Sequence, residues 1–310
     1  VQRTVIDDAL PNVGIYSIVQ DQTGYIWLAS TNTGVLRYDG YQFKPFFTKH
    51  AERQKRPDID AMVFDSTGKL WTGSWGYALS RVDTASGEQQ LFLAGNQSNQ
   101  LFSPFVQTLF EDSQQRLWIG TDQGLNRYSQ IAGMERIFGA EQLNNPRIWA
   151  VVETSDQSIW FGTSYGVYQI RPDGSLSAPL LPHGANNRAN EIRSLAVQGD
   201  ILWIGTRESL FAYNLKSQSL NAISYFGESN FPIINTIIPS QNNQLLVGTF
   251  NGISVVDTEM LQTRYIGGQK SILDGVNVRS MLLDRSGLLW AGTREKGLFR
   301  TRLQFEQFND

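Results

Sequence analysis

The stretch LWIGTDQGLNRYS, residues 117–129, returns in nearly the same words as LWIGTRESLFAYN at 202–214. The phrase also reads IWLASTNTGVLRYD around Trp27, LWTGSWGYALSRVD around Trp71, IWFGTSYGVYQIR around Trp160 and LWAGTREKGLFRTR around Trp290. A seventh copy, LLVGTFNGISVVD, has Leu246 in the tryptophan's place. From Trp27 to Trp290 the copies are 44, 47, 42, 43, 43 and 44 residues apart and fill the chain from end to end. An unbroken array of equivalent units is one domain whatever its length, so residues 1–310 read as a single domain.

Within a unit the pattern is that of strands. In the first, IYSIVQ, YIWLAS, GVLRYD and YQFKPFF are short apolar runs parted by the turn residues DQTG, TNT and Asp39-Gly40. They form four antiparallel strands, here lettered A to D. A four-stranded unit of about 40–45 residues repeated four to eight times is a β-propeller blade. The fold expected is therefore all-β, a closed seven-bladed β-propeller of four-stranded antiparallel blades. Its last sheet needs an outer strand, either RTVID at 3–7 or QFEQF at 304–308. The N-terminal one is preferred, since holding both termini in one blade clasps the ring.

The repeated residues have structural work. Strand A opens on Ile15, Ile59, Val106, Ile148, Ile192, Ile234 and Val278, and two places on carries a small residue such as Ser17, Ala61 or Thr108. Small side chains let inner strands converge near the axis. The tryptophans of strand B supply roughly 150–250 Å² of packing surface each and belong to the core rather than to a stacking platform. The glycine two residues after each of them leaves room for close backbone approach where blades crowd, with Ala29 as the one departure.

Composition removes several function classes. Charged residues are 18% of the chain and the net charge is −3, so no basic field favours nucleic acid. With no cysteine there is neither a disulfide framework nor a thiolate metal site. No run of about 18 apolar residues spans a bilayer. The basic run KHAERQKRP at 49–57 reads as a solvated loop. The start at Val1, without a signal pattern, is expected of a segment from a longer protein.

Catalytic motifs are scarce. GTSYG at 162–166 matches the G-x-S-x-G nucleophile elbow, and Asp173 and His183 follow in hydrolase order. The match lies inside the repeat frame, where GTDQG at 120–124 and GTFNG at 248–252 stand without a serine. The strand-turn-helix setting of the elbow is missing as well. His50, the other histidine, has no partner at ligand spacing. No catalytic residue, metal ligand or cofactor is therefore assigned. The turns DQTGYIW, DSTGKLW and DRSGLLW are similar to the Asp-box of sialidases but differ in spacing, and their aspartates read as turn stabilisers.

The combined phrase D-x-x-G-x-[LI]-W-x-G-T-x-x-G-L-x-R-Y-D-G resembles the two-component regulator propeller repeat, and DQTGYIWLASTNTGVLRYDGYQF in blade one is a close copy. The resemblance implies an extracytoplasmic, periplasmic sensor region of a bacterial inner-membrane protein whose output is a histidine kinase or GGDEF-type diguanylate cyclase outside this chain. Membrane contact would then come only through other segments. A homodimer formed through the parent protein stays open.

Scaffold residues repeat in a propeller, so ligand residues are sought where the repeats disagree. Two registers on the face of the D-to-A and B-to-C loops vary freely. The second residue of strand A reads Tyr16, Asp60, Gln107, Trp149, Arg193, Asn235 and Arg279. The residue after the repeated Thr/Ser of strand B reads Thr31, Trp75, Asp122, Ser164, Arg207, Phe250 and Arg294, with Tyr77, Tyr165 and Glu208 close behind. Tyr16, Asp60, Trp75, Tyr77, Trp149, Tyr165, Arg193, Arg207, Glu208, Phe250, Arg279 and Arg294 are the expected ligand-binding residues. Arginines clamp anions and rings hold apolar faces, which suits a small polar ligand such as an oligosaccharide or acidic sugar. Two functions follow: a non-enzymatic sensor or interaction module, or a propeller lyase or glycan-degrading enzyme, which would want a general base near the mouth.

Overall fold

Turn residues divide each repeat into strands, and the computed structural model describes residues 4–5, 13–31, 33–46, 58–144, 146–181, 191–225, 232–240, 243–264 and 272–302. Blade one consists of Ile15–Gln20, Ile26–Ser30, Gly34–Tyr38 and Phe43–Phe46, hydrogen-bonded in that order. The same antiparallel meander recurs in blades two, three, five and six, which open at Ile59, Val106, Ser194 and Ile234. The seven sheets form a β-propeller, and the inner strand A of each packs against those of both neighbours, blade seven returning to blade one. No helix occurs among the described residues.

Blade four departs from the pattern. Among the described residues its sheet has three strands, Ile148–Glu153, Ile159–Thr163 and Val167–Ile170, and single bridges from Leu176 and Leu180 stand where an outer strand would run. Blade seven joins both chain ends: Val278–Leu283, Leu288–Thr293 and Leu298–Arg302 are completed by Thr4–Val5, with Thr4 opposite Arg300 and Val5 opposite Phe299. The N-terminal strand thus closes the ring, as expected. The rival stretch 304–308 lies outside the described residues.

The core lies between sheets. Strand B is buried along its whole length in blades one to four, because a neighbouring blade covers each of its faces. Trp27, Trp71, Trp118, Trp203 and Trp290 are at most 2% exposed and Trp160 6%. Each packs into the following blade, as Trp118 does among Ile148, Val151 and Phe161, and Trp290 among Ile15, Ile18 and Leu28. Leu246 does the same against Val278 and Met281.

The glycine after each tryptophan makes room for a side chain of the next blade, not for its backbone. A Cβ on Gly73 would meet Val106 Cγ1 at 2.4 Å, one on Gly162 would meet Ile192 Cγ2 at 2.3 Å, and one on Gly205 would meet Ile234 Cγ2 at 2.6 Å. The apolar residue that opens strand A therefore plugs a notch in the preceding blade.

The tryptophans are also held by a polar bond that the sequence reading did not anticipate. Trp27, Trp71, Trp118 and Trp290 donate their indole N–H to Asp21, Asp65, Asp112 and Asp284, six residues earlier, at 2.7–2.8 Å. The other carboxylate oxygen accepts backbone N–H groups of its own turn, as Asp21 does from Thr23 at 2.9 Å and Tyr25 at 3.0 Å. This is the turn role expected of Asp21, Asp65 and Asp284, and Asp112 shares it. Blade four has Thr154 at that place, and the Trp160 indole N–H is buried without a partner among the described residues.

Candidate functional site

The two variable registers sit at the start of strand A and the end of strand B, on the face where the channel opens. In six blades strand A is bulged at the variable residue, the ladder slipping between Ile15 and Ser17, Ile59 and Ala61, Val106 and Thr108, Ile148 and Ala150, Ile234 and Thr236, and Val278 and Ser280. A bulge adds an unpaired residue and re-aims its side chain. Tyr16, Asp60, Gln107, Trp149, Asn235 and Arg279 are therefore released from the sheet faces. Blade five lacks the slip, and Arg193 instead donates its backbone N–H to the Gly205 carbonyl at 2.8 Å.

All seven of these residues line one cavity of about 480 Å³, with Thr31, Asp58, Trp75 and Arg294. That volume falls within the roughly 300–1,000 Å³ of small-molecule sites. Tyr77, Tyr165, Arg207, Glu208 and Phe250 were expected there too but do not line it. Tyr77 and Phe250 are exposed at 39% and 52%, and Arg207 lies 3.9 Å from Glu191. Asp58, which does line the cavity, was missed because it precedes strand A, at a register where only blades two and five bear a carboxylate.

The charges are sorted by blade. Arg193 pairs with Glu191 at 2.9 Å and lies over the Trp149 ring, 3.8 Å from its centroid. Arg147 approaches the same ring at 5.4 Å, and the indole N–H donates to Ser164 Oγ at 3.0 Å. Trp149 is thus an internal support for arginine more than a platform for a ligand. Ser164, the serine of the elbow-like motif, is engaged as an acceptor from tryptophan. His183 and His50 lie outside the described residues, as does the basic loop 49–57.

Arg279 is matched differently. Its Nη1 donates to Asn235 Oδ1 at 3.4 Å and its guanidinium lies 5.1 Å from the centre of Tyr16, but no carboxylate comes within 4 Å of it among the described residues. Burial first, then Arg193, hold its pKa below the ordinary arginine value. Asn235 is fixed by bonds to Asn277 Oδ1 at 3.1 Å and the Val278 carbonyl at 2.7 Å. Across blade one, Asp60 faces the cavity with no hydrogen bond to its carboxylate from the described residues. Burial pushes its pKa up from 3.8 to about 6, with Arg279 opposing the shift and Asp58 adding to it. In blade three, Gln107 Nε2 and Asp122 Oδ1 are buried and unpartnered among the described residues.

A stretch of 121 residues, 37% of this chain, is 31% identical to Histidine kinase P4 of Formosa agariphila, of which it spans 8%. The fold superposes with a TM-score of 0.77 on an extracellular domain assigned to the hybrid two component system BT4673 of B. thetaiotaomicron, at 21% identity over 97% of this chain and 40% of that one. It superposes with a TM-score of 0.73 on the virginiamycin B lyase of Staphylococcus aureus, at 11% identity over 97% and 98% of the two chains. At such identities these two likenesses are likenesses of fold. The chain thus spans less than half of the BT4673 domain and under a tenth of the kinase. The repeats themselves are more specific: residues 9–32, 100–123 and 142–165 match the family model described as two component regulator propeller.

Proposed function

We propose that this chain is a non-enzymatic sensor propeller of a bacterial signalling protein, extracytoplasmic in location, and that it binds a small polar ligand in the cavity at the mouth of its channel. One observation carries the reading: the residues that differ from blade to blade converge on one cavity, while the residues that repeat hold the blades together. A scaffold alone gives no reason for seven side chains of six kinds, six of them re-aimed by bulges, to meet in one space. The resemblance to the extracellular domain of a two component system and to a histidine kinase supports the signalling role. The kinase or cyclase output belongs to segments outside this chain.

The lyase reading has less behind it. Its general base would have to stand in the cavity, where no histidine is found among the described residues and Asp60, with its pKa raised to about 6, is the one group suited to the part. A thermal-shift screen of charged and neutral small molecules tests the proposal, run on wild type, on Arg279→Gln/Arg294→Gln and on Trp203→Ala. Ligand-induced stabilisation in wild type, lost in the arginine variant with its own melting temperature near wild type, supports it. Stabilisation that survives in the arginine variant contradicts it.

A further inference from the structure

The cavity is bipolar, and its two poles come from the same pair of registers in the two blades that flank blade one. In blade two, Ile59 pairs with Ser74, and the residues that follow them, Asp60 and Trp75, both line the cavity. In blade seven, Val278 pairs with Thr293, and the residues that follow are Arg279 and Arg294. Blade one, between them, contributes Tyr16 and Thr31. One pole therefore holds the Asp60 carboxylate, with Asp58 near it, and an indole that is 49% exposed, and the other two guanidiniums.

Neither pole is compensated from within. Asp60 accepts no hydrogen bond and Arg279 meets no carboxylate within 4 Å among the described residues, although the two are near enough to act on each other electrostatically. Asp60 and Arg279 are half-buried, and even a partly buried charge without a partner carries a cost that is relieved when a group of opposite sign arrives. A neutral sugar would leave both charges unmatched. A simple carboxylate would satisfy the arginines but add a further anion to the space that Asp60 and Asp58 already line.

Resting on the ligand-sensing reading above, we infer that the ligand is a zwitterion, an amino acid or short peptide, whose ammonium seats on Asp60 against Trp75 and whose carboxylate seats between Arg279 and Arg294. A carboxylate and an aromatic face together suit an ammonium, which is drawn to the negative face of the ring. Paired arginines suit a carboxylate, which they bind by charge-assisted, bidentate bonds. The raised pKa of Asp60 fits a carboxylate without its cation. Binding an ammonium requires Asp60 ionised, so zwitterion affinity falls as pH drops through about 6, while affinity for a plain carboxylate rises. The charged groups that bear on Asp60 here are Arg279 and Asp58, with Tyr16, Arg193 and Arg294 around Arg279.

The test is isothermal titration of the 310-residue chain with glycylglycine, glutamine and 6-aminohexanoate, against acetate, galacturonate and galactose, at pH 7.5 and pH 5. At least one zwitterion is expected to bind more tightly than all three controls and to weaken at the lower pH. Asp60→Asn should lower its affinity by about tenfold or more without weakening acetate, and Arg279→Gln should weaken both. Galacturonate or galactose binding more tightly than every zwitterion, or zwitterion binding indifferent to Asp60→Asn, overturns this inference and leaves the sensor reading standing. Binding of none of the six overturns both.

Discussion

Ile15, in the first blade, occupies the space that a side chain on Gly292, in the last, would need: a Cβ there would lie 2.7 Å from Ile15 Cγ2. The same relation recurs at every other junction except that of blades one and two, where Ala29 stands in the glycine's place, so the ring closes by the contact that builds most of it. Blade seven adds Arg285, whose backbone N–H donates to Gln20 Oε1 at 3.0 Å and whose side chain reaches the carbonyls of Asp21 and Gln22.

Filling a notch should therefore loosen the ring. At Gly120 a Cβ would lie 2.6 Å from Thr108 Cγ2 and 2.9 Å from Ile148 Cβ. Gly120→Val overpacks this site and should cost roughly 1–3 kcal/mol, read as a lower midpoint in thermal or urea unfolding. An unchanged midpoint would mean that the notch is not a packing constraint.

The tryptophans should differ among themselves according to their aspartates. Trp118→Phe shrinks the ring and leaves Asp112 without the indole N–H it now accepts at 2.8 Å. Trp160→Phe shrinks the ring but removes an N–H that is buried and unpartnered. An unsatisfied buried group costs about 1–3 kcal/mol, so Trp160→Phe should be the milder change by about that amount. Equal losses in denaturant melts would contradict the assignment.

Asp60 should make stability fall with rising pH. The folded chain keeps its proton up to about pH 6, the unfolded chain only to about 3.8, so between these values the folded state binds more protons. By linkage, stability declines as pH rises through that window, and the penalty is complete above it. Asp60→Asn should thus be more stable than wild type at pH 7.5, by at most about 3 kcal/mol at 1.4 kcal/mol per unit, and equal to it near pH 4. A variant less stable at pH 7.5 would show that Asp60 is matched by a cation in solution.

The closing strand offers a fourth test. Removing residues 1–8 takes away Thr4–Val5 and leaves the outer edge of Leu298–Arg302 unpaired. An unpaired edge is a template for association. The truncated chain should melt lower and self-associate on gel filtration, whereas wild-type behaviour would mean that the N-terminal strand is dispensable.

The blades were legible in the sequence because each repeats the same apolar period, turns and tryptophan. The turn of blade three was less so: Gln115 takes the positive φ, 59°, at which glycine stands in DQTG and DSTG, so Asp112 escaped notice. The variable registers could be listed from the sequence, and their second residues of strand A do meet in one cavity. What aims them could not be read. A bulge follows from how the strand pairs with its neighbour, which a string of residues does not state. Nor could it be foreseen that Trp149 would be covered by Arg193, or that Arg279 and Asp60 would face one space unpaired.

The central claim is that repeated residues are scaffold and unrepeated ones are site, and the eight tryptophans report on both at once. Trp75 and Trp149 line the cavity, while Trp27, Trp71, Trp118, Trp160, Trp203 and Trp290 lie in the core. The indole N–H signals of the ¹⁵N-labelled chain, recorded before and after saturation with the tightest-binding compound of the titration panel, decide between them. The account predicts that the Trp75 and Trp149 signals shift and the other six hold. Shifts among the six core indoles, with Trp75 and Trp149 unmoved, would contradict it.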